Sequence, residues 1–426
     1  MVLQLAGLGL IAWAALSPSA EPLTRFQRQL FGVILLGLAL IVLQLLPLPP
    51  QIWEALGPRK SMGGGFGVLG VAAPWLPLSV SPYDSLTALL TLIPPLALIA
   101  AAVRLGSRPL WLVIALVAGT FAGILLGALQ VSSADPSTSP WYLYEDTNAG
   151  VATGFFANAN HMANLLVINL PFLAAILASA RGRGRNVQRY SAVVALMAGA
   201  ALVIAVGIAL NGSLAGYGLA VPVLVASAAL VLPGRRSIGW LAGLAGILLL
   251  VSVGWMATSP PGSSNVLRSN AETSVQSRQE ILATSMKAAR EFMPLGAGVG
   301  TFQRVYALYE DHDRLDPTTY VNHAHNDYVE IAMETGIPGL IVLVVFLLWW
   351  GRAAWRVWRP GDPDPFARAA AVASAAILVH SLVDFPLRTA AISTCFAMCL
   401  ALLVRQKPPP APDKSVLWST RHVVAG

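Results

Sequence analysis

The chain has 426 residues, 56% of them hydrophobic and only 11% charged, with a net charge of +7 and a mean hydropathy of +0.67. A water-soluble domain covers itself with roughly 25% charged residues, so this composition excludes an ordinary soluble fold and leaves lipid to cover much of the surface. The basic residues do not form a nucleic-acid footprint: Arg25, Arg28, Arg104, Arg108, Arg181, Arg352, Arg356 and Arg405 fall on one side of the apolar runs, and Glu145, Asp146, Glu310, Asp311, Asp313 and Asp316 on the other.

Runs near the ~20-residue length that crosses a bilayer predict spans at 2–16, 29–48, 85–103, 110–131, 161–180, 191–210, 212–232, 238–258, 337–351, 367–383 and 387–404. The expected fold is an all-α integral membrane protein of about 11–12 transmembrane helices. The first run is short and lacks a basic start and a small-residue cleavage site, so it reads as an anchor. Positive-inside asymmetry places the N-terminus outside the cytoplasm and the C-terminus within it. The chain divides into helices with short loops over 1–258, one long extracytoplasmic segment over 259–336, and further spans over 337–404. A Pro-rich polar tail over 405–426 is expected to be disordered. Cys395 and Cys399 lie four apart in the last span, too far along it for a disulfide, and read as small packing residues.

The polar chemistry lies between the spans. Segment 132–160 ends in Thr-Gly-Phe-Phe-Ala-Asn-Ala-Asn, followed by His161. Asn158, Asn160, His161 and Asn164 thus cluster where a span begins, as helix caps or as glycan contacts. Segment 259–336 is far longer than the roughly 15 residues beyond which structureless loops become uncommon. Over 275–293, at about 100° per residue, Arg278 shares a face with Ile281, Leu282, Ser285 and Ala289, while Glu280, Lys287 and Glu291 lie opposite. Arg278 admits two readings: a stem laid on apolar atoms with its head at lipid phosphate, or a guanidinium placed to fork onto a ligand phosphate.

Next, Pro294-Leu-Gly-Ala-Gly-Val-Gly-Thr-Phe302 puts glycines at alternate positions. It reads as a turn ending the helix or as a phosphate cradle, without the strand–helix context of a nucleotide fold. In Asn322-His-Ala-His-Asn-Asp-Tyr328, Asp327 and Glu330 predict a capping box, Gly336 the end of a short helix and Pro338 the first turn of the following span. His325 then sits at the membrane lip, where an imidazole can take a proton from a hydroxyl with Asn326 orienting it. A polar capping loop is the alternative. His323 and His325 could ligate zinc with Asp327 or His312, but no third ligand has convincing spacing, so no metal or other cofactor is expected. His380 and Asp384, four apart at the end of a span, are expected to contact each other and to tether Arg388 or a loop.

In this order the motifs resemble the bacterial O-antigen ligase and polysaccharide polymerase family. The resemblance rests on Thr153–His161, on Arg278 followed by Pro294–Phe302, on His325-Asn-Asp-Tyr328 with Glu334-x-Gly-Ile-x-Gly-Leu340, and on His380-Ser-Leu-Val-Asp-Phe385, and it covers roughly residues 75–400. It implies a fold related to the multi-spanning, lipid-dependent (GT-C-like) glycosyltransferases, in the bacterial inner membrane with the site facing the periplasm. The implied activity is transfer or polymerisation of an undecaprenyl-diphosphate-linked glycan onto a glycan or a lipid A-core acceptor, inverting and without metal, cofactor or nucleic acid.

By motif match Arg278 would bind the diphosphate and His325 would activate the acceptor. Asn326, His323, Arg304, Asn160, His161, Gly298 and Gly300 are the candidate substrate contacts. The family's Ser-Arg-x-Gly motif is not kept: Asn211-Gly-Ser-Leu-Ala-Gly216 has Leu214 where the second arginine is expected, leaving Arg304, Arg290, Arg268 or Arg314 as replacements. Two other classes remain, a flippase or transporter of the same lipid and a non-catalytic component of polysaccharide export. A transporter should show charges in mid-span or broken helices at matching points of two halves, which this sequence does not. Between ligase and polymerase, Asp384-Phe385 and the Pro-Leu-Ser-Val-Ser-Pro stretch at 77–82 lean towards exopolysaccharide-type members.

Overall fold

A computed structural model describes residues 1–18, 22–106, 108–181, 187–232, 239–241, 243–248, 250–251, 265–311, 321–359 and 364–405, with backbone alone over 265–277. Residues 252–258 at the end of the span expected at 238–258, His312, Arg314, the tail from 406 and the side chain of Arg268 lie outside this description.

The chain builds α1 (Val2–Leu16), α2 (Arg25–Leu45), α3 (Pro50–Trp53), α4 (Arg59–Val68), α5 (Pro82–Thr91), α6 (Ile93–Arg104), α7 (Pro109–Val131), α8 (Ala159–Arg181), α9 (Val187–Asn211) and α10 (Leu214–Val231). The long loop contributes α11 (Asn265–Glu291) and α12 (Phe302–Tyr306), and α13 (Asp327–Trp358), α14 (Pro365–His380) and α15 (Ala390–Leu403) follow. Among the described residues, α2, α5 with α6, α7, α8, α9, α10 and α13 are long and apolar enough to cross a membrane, and α1, α14 and α15 are shorter apolar helices. The protein is an all-α integral membrane protein, and every expected span except 238–258 falls on one of these helices.

Local chemistry sets the ends. Thr24 accepts from the Gln27 amide while the Gln27 side chain accepts from the Thr24 amide, a reciprocal cap that starts α2. The expected span at 29–48 stops early because Pro47, Pro49 and Pro50 leave the helix, and Pro47–Leu48 pairs with Leu76–Pro77 in a two-residue antiparallel ribbon. The expected spans at 367–383 and 387–404 give up their facing ends to a link over 381–389, where Pro386 opens a single 3₁₀ turn. That link carries Asp384, Phe385 and Arg388.

At the centre stands α8, packed on α9, α10 and α14 and buried on nearly all sides. The side-chain amide nitrogen of its polar Asn169 donates to Thr120 Oγ1 of α7 at 2.8 Å and to the Leu165 carbonyl. Leu35, Leu36 and Leu43 on α2 and Trp111 and Leu125 on α7 are exposed, the surface that lipid covers in an integral membrane protein.

On the loop side α11 lies against α13 and buries Ile281, Ser285, Ala288, Ala289 and Phe292, the stripe that continues from Arg278. The glycine stretch then straps across α13. The Ala297 amide donates to Met333 O, Gly298 N to Glu334 O, Gly300 N to Glu334 Oε1, and Ile337 N returns a bond to Pro294 O. Gly296, Gly298 and Gly300 take positive φ to do so. Gly336, at φ 58° and ψ −150°, breaks α13 as expected, dividing a short loop-side helix from the apolar span.

The start of α13 needs a correction. Asn326, not Asp327, is the cap: its Oδ1 accepts from the Tyr328 and Val329 amides. Asp327 lies one position inside, where its side chain turns to Ser381 and Arg388 instead of its own backbone.

Gly336 supports a first prediction. Its backbone lies where only glycine is at ease, and an added Cβ would collide with the Pro294 carbonyl. Gly336→Ala is expected to destabilise the protein by at least ~1–3 kcal/mol from backbone strain alone, read as a lowered Tm in detergent. An unchanged Tm would show that the strap gives way without cost.

Candidate functional site

Three segments distant in sequence meet where the loop side closes over the bundle: the start of α8, the histidine-rich stretch before α13, and the link after α14. Phe385 is the hub. Its ring lies 4.8 Å from that of His161, 4.3 Å from His323 and 5.0 Å from His325, centroid to centroid.

Asp384, next to it, is fully buried and gathers the polar groups. Asn160 Nδ2 donates to its Oδ2, and the Phe385 amide donates to its Oδ1 at 2.9 Å. The same Oδ1 lies 3.3 Å from His325 Nδ1 and 3.8 Å from His161 Nε2. Burial works against its charge, but the contact with His325 and the charges of His161 and Arg278 hold it well below the usual carboxylate range. Among the described residues Arg278 makes no ion pair with Asp384, and its charge acts on the carboxylate through space.

Asn160 is fixed in turn. Its Oδ1 accepts from Ser213 Oγ at 2.7 Å, and Ser213 caps α10 by accepting from the Gly216 amide. The capping role considered for the asparagine cluster falls to Asn158, whose Oδ1 accepts from the Asn160 amide. Asn160 and His161 are left to face Asp384. The expected contact between His380 and Asp384 side chains is not made: His380 Nδ1 meets Asn164 Nδ2, and the carboxylate turns to His325. The backbone keeps the helical spacing, the Asp384 amide donating to the His380 carbonyl at 3.0 Å, but Asn160 and the Phe385 amide hold the Asp384 carboxylate in another direction.

A second cluster adjoins the first through His323, whose Nδ1 is 2.8 Å from Glu330 Oε1. Arg388 lies 2.9 Å from Glu334, 3.5 Å from Glu330 and 3.6 Å from Asp327. Burial opposes its charge, yet these three carboxylates raise its affinity for the proton above that of a free arginine. Removing one member of such a cluster leaves a buried charge uncompensated. Sequence reading noticed Asp384 and Arg388 but not this convergence. The usable signal was the density of ionisable residues within 327–334 and 380–388, abnormal at a membrane boundary.

Other candidates separate from the centre. Arg304 is exposed and pairs with Asp84 at 3.2 Å, and Arg290 is exposed. The amides of Gly298 and Gly300 are spent on Glu334, so the glycine stretch is a strap and not an open phosphate cradle. Asn326 holds the cap and donates Nδ2 to the Leu382 carbonyl. Among the described residues the zinc candidates do not converge: His323 faces Glu330, His325 faces Asp384, and Asp327 faces Arg388 and Ser381. Leu214 stands half exposed in the first turn of α10, and no described arginine takes the place of the missing one there.

Beside the histidines lies a cavity of about 890 Å³. It is lined by apolar residues of α1, α6 and α15, among them Leu3, Leu10, Leu98 and Ala391, and by His161, His323 and Arg388 from the polar centre. Such a space can take an apolar chain while presenting cations and imidazoles to a polar head.

A family model described as O-antigen ligase matches residues 198–344. The matched stretch holds α10, Arg278, the glycine strap and His325, and stops short of Asn160, His161 and Asp384 on either side. No curated protein matches the chain.

Proposed function

We propose, from the match of residues 198–344 to the O-antigen ligase family model, that the chain is a membrane enzyme of O-antigen or polysaccharide assembly and that it transfers a saccharide from an undecaprenyl-diphosphate donor to a sugar hydroxyl at the periplasmic face of the inner membrane. The observation that carries this reading is the gathering of His325 and His161 on one buried carboxylate, beside an apolar cavity.

The chemistry asks little of the protein beyond charge and one proton acceptor. The acceptor oxygen attacks the anomeric carbon while the bond from that carbon to the diphosphate oxygen breaks. The leaving lipid diphosphate keeps the electron pair, and Arg278 stabilises the charge that builds on it. The hydroxyl proton passes to Nε2 of a neutral His325. Direct displacement inverts the anomeric centre. No metal enters these steps, because the leaving group is already a diphosphate and the guanidinium supplies the positive charge. The apolar cavity suits the isoprenoid chain of the donor, with His323 and His161 near its head. The acceptor is a growing glycan or a lipid A-core, and the Asp384-Phe385 motif favours the glycan.

The test is reconstitution in vesicles with a lipid-diphosphate-linked saccharide and an acceptor glycan, in the presence of EDTA. The expected result is a lengthened glycan together with free lipid diphosphate. Movement of intact donor across the bilayer, without release of lipid diphosphate, would make the protein a flippase and end this reading.

A further inference from the structure

This inference rests on the reading of His325 as proton acceptor. We propose that Asp384 is the positioning residue for that imidazole, holding the proton on Nδ1 so that Nε2 is left as the base.

The geometry is specific. Among the described residues Nδ1 of His325 is buried and makes no hydrogen bond, and Oδ1 of Asp384, 3.3 Å away, is the one carboxylate oxygen within ion-pair reach. The carboxylate cannot drift from that place. Asn160 Nδ2 and the Phe385 amide hold its two oxygens, Ser213 holds Asn160, and Ser213 is itself fixed as the cap of α10. The brace therefore reaches from the link through α8 to α10, three elements of the bundle rather than one mobile loop. The imidazole is constrained from its own side as well. His325 is the one non-glycine described residue with positive φ, 49°, and the Phe385 ring meets it edge-on. Backbone held in that region at a polar cluster is the kind of strain that surrounding structure must maintain.

A fully buried carboxylate at a membrane boundary is costly, and helix capping does not account for this one, since Asn158, Ser213 and Asn326 do that work nearby. His161 approaches the same oxygen, but at 3.8 Å, and its ring is pinned between Phe156 and Phe385. In the transfer step the acceptor proton moves to Nε2, the Nδ1 proton stays on the ring, and Asp384 stabilises the imidazolium without taking a proton. Contacts of this kind are commonly long before substrate binds and close in the reactive complex.

The experiment uses the full chain in nanodiscs with Asp384→Asn and, as a milder second variant, Asn160→Ala. Asp384→Asn is expected to lower kcat by ~10²-fold while the KM for donor stays within about threefold, because orientation and not binding is lost. Asn160→Ala should move kcat the same way by less. Nitrogen-15 NMR of histidine-labelled protein supplies a readout that simple packing damage would not give. His325 should show one tautomer, Nδ1 protonated, in the wild type and a mixture in Asp384→Asn. If kcat and the tautomer stay at wild-type values in either variant that folds, the proposal is overturned. If the wild type shows the held tautomer but transfers no saccharide from the lipid donor, the functional reading fails while the pairing stands.

Discussion

Replacing His325 by asparagine is expected to lower glycan transfer by ~10²–10⁴-fold, the range a positioned general base contributes. Asparagine is the informative substitute. His325 has φ 49°, and asparagine tolerates the left-handed region better than alanine does. A loss of rate can then be assigned to the missing proton acceptor and not to a relaxed backbone. The amide can still face Asp384, so the carboxylate is not abandoned in a dry site. Donor affinity should change little, because the diphosphate is held elsewhere. The measurement is initial rate against donor concentration in vesicles, alongside the elution profile of the purified variant. A variant that elutes as wild type and retains more than a tenth of the rate would remove His325 from the chemistry.

Arg278→Ala carries the second large effect, a loss of ~10²–10³-fold in transfer. A charge that forms on a leaving diphosphate in a site closed to water is stabilised by a fixed cation far better than by solvent. Two readings of this residue were open from the sequence, snorkelling to lipid phosphate and a place in the site. Its charge is among those that favour the ionised Asp384 carboxylate, and the proposed function takes the second reading. Arg278→Lys should recover part of the rate, since it keeps the charge and loses the two-pronged geometry. Lys287→Ala is the matched control on the same helix. Lys287 is exposed and its ammonium lies 5.8 Å from the centre of the Tyr309 ring, so its removal should leave the rate near wild type. Equal losses from Arg278→Ala and Lys287→Ala would reduce both to surface charge.

The two clusters divide the labour. Around Asp384 the partners are two imidazoles, the Asn160 amide and the Phe385 backbone, groups among which an imidazole can meet a substrate proton. Around Arg388 the partners are three carboxylates and His323, which close on one another and tie the link to the strap. The first is suited to chemistry and the second to holding the link in place. His323 touches both, bonded to Glu330 and packed on Phe385.

The local rules worked where a single element decides the outcome. Apolar length marked the spans, the three-to-four-residue rhythm put Arg278 in line with the buried stripe of α11, and Gly336 was recognisable as a break. They failed where two side chains compete for one role. Asp327 and Asn326 both make good caps, and only the pull of Arg388 and Ser381 on Asp327 decides between them. His380 and Asp384 keep their helical spacing, yet the carboxylate is claimed by Asn160 and the Phe385 amide and the imidazole by Asn164.

Composition, hydropathy and charge placement by themselves determined that this is a helical membrane protein with its polar chemistry gathered in a few segments outside the spans, because lipid admits no other way of satisfying so apolar a backbone. Which of those polar residues share a site was decided by tertiary structure alone. Asn160, His325 and Asp384 are separated by scores of residues, and no periodicity spans such gaps. Their meeting is set by how α8, α10, α13 and the link after α14 pack, a property of shape complementarity between whole helices.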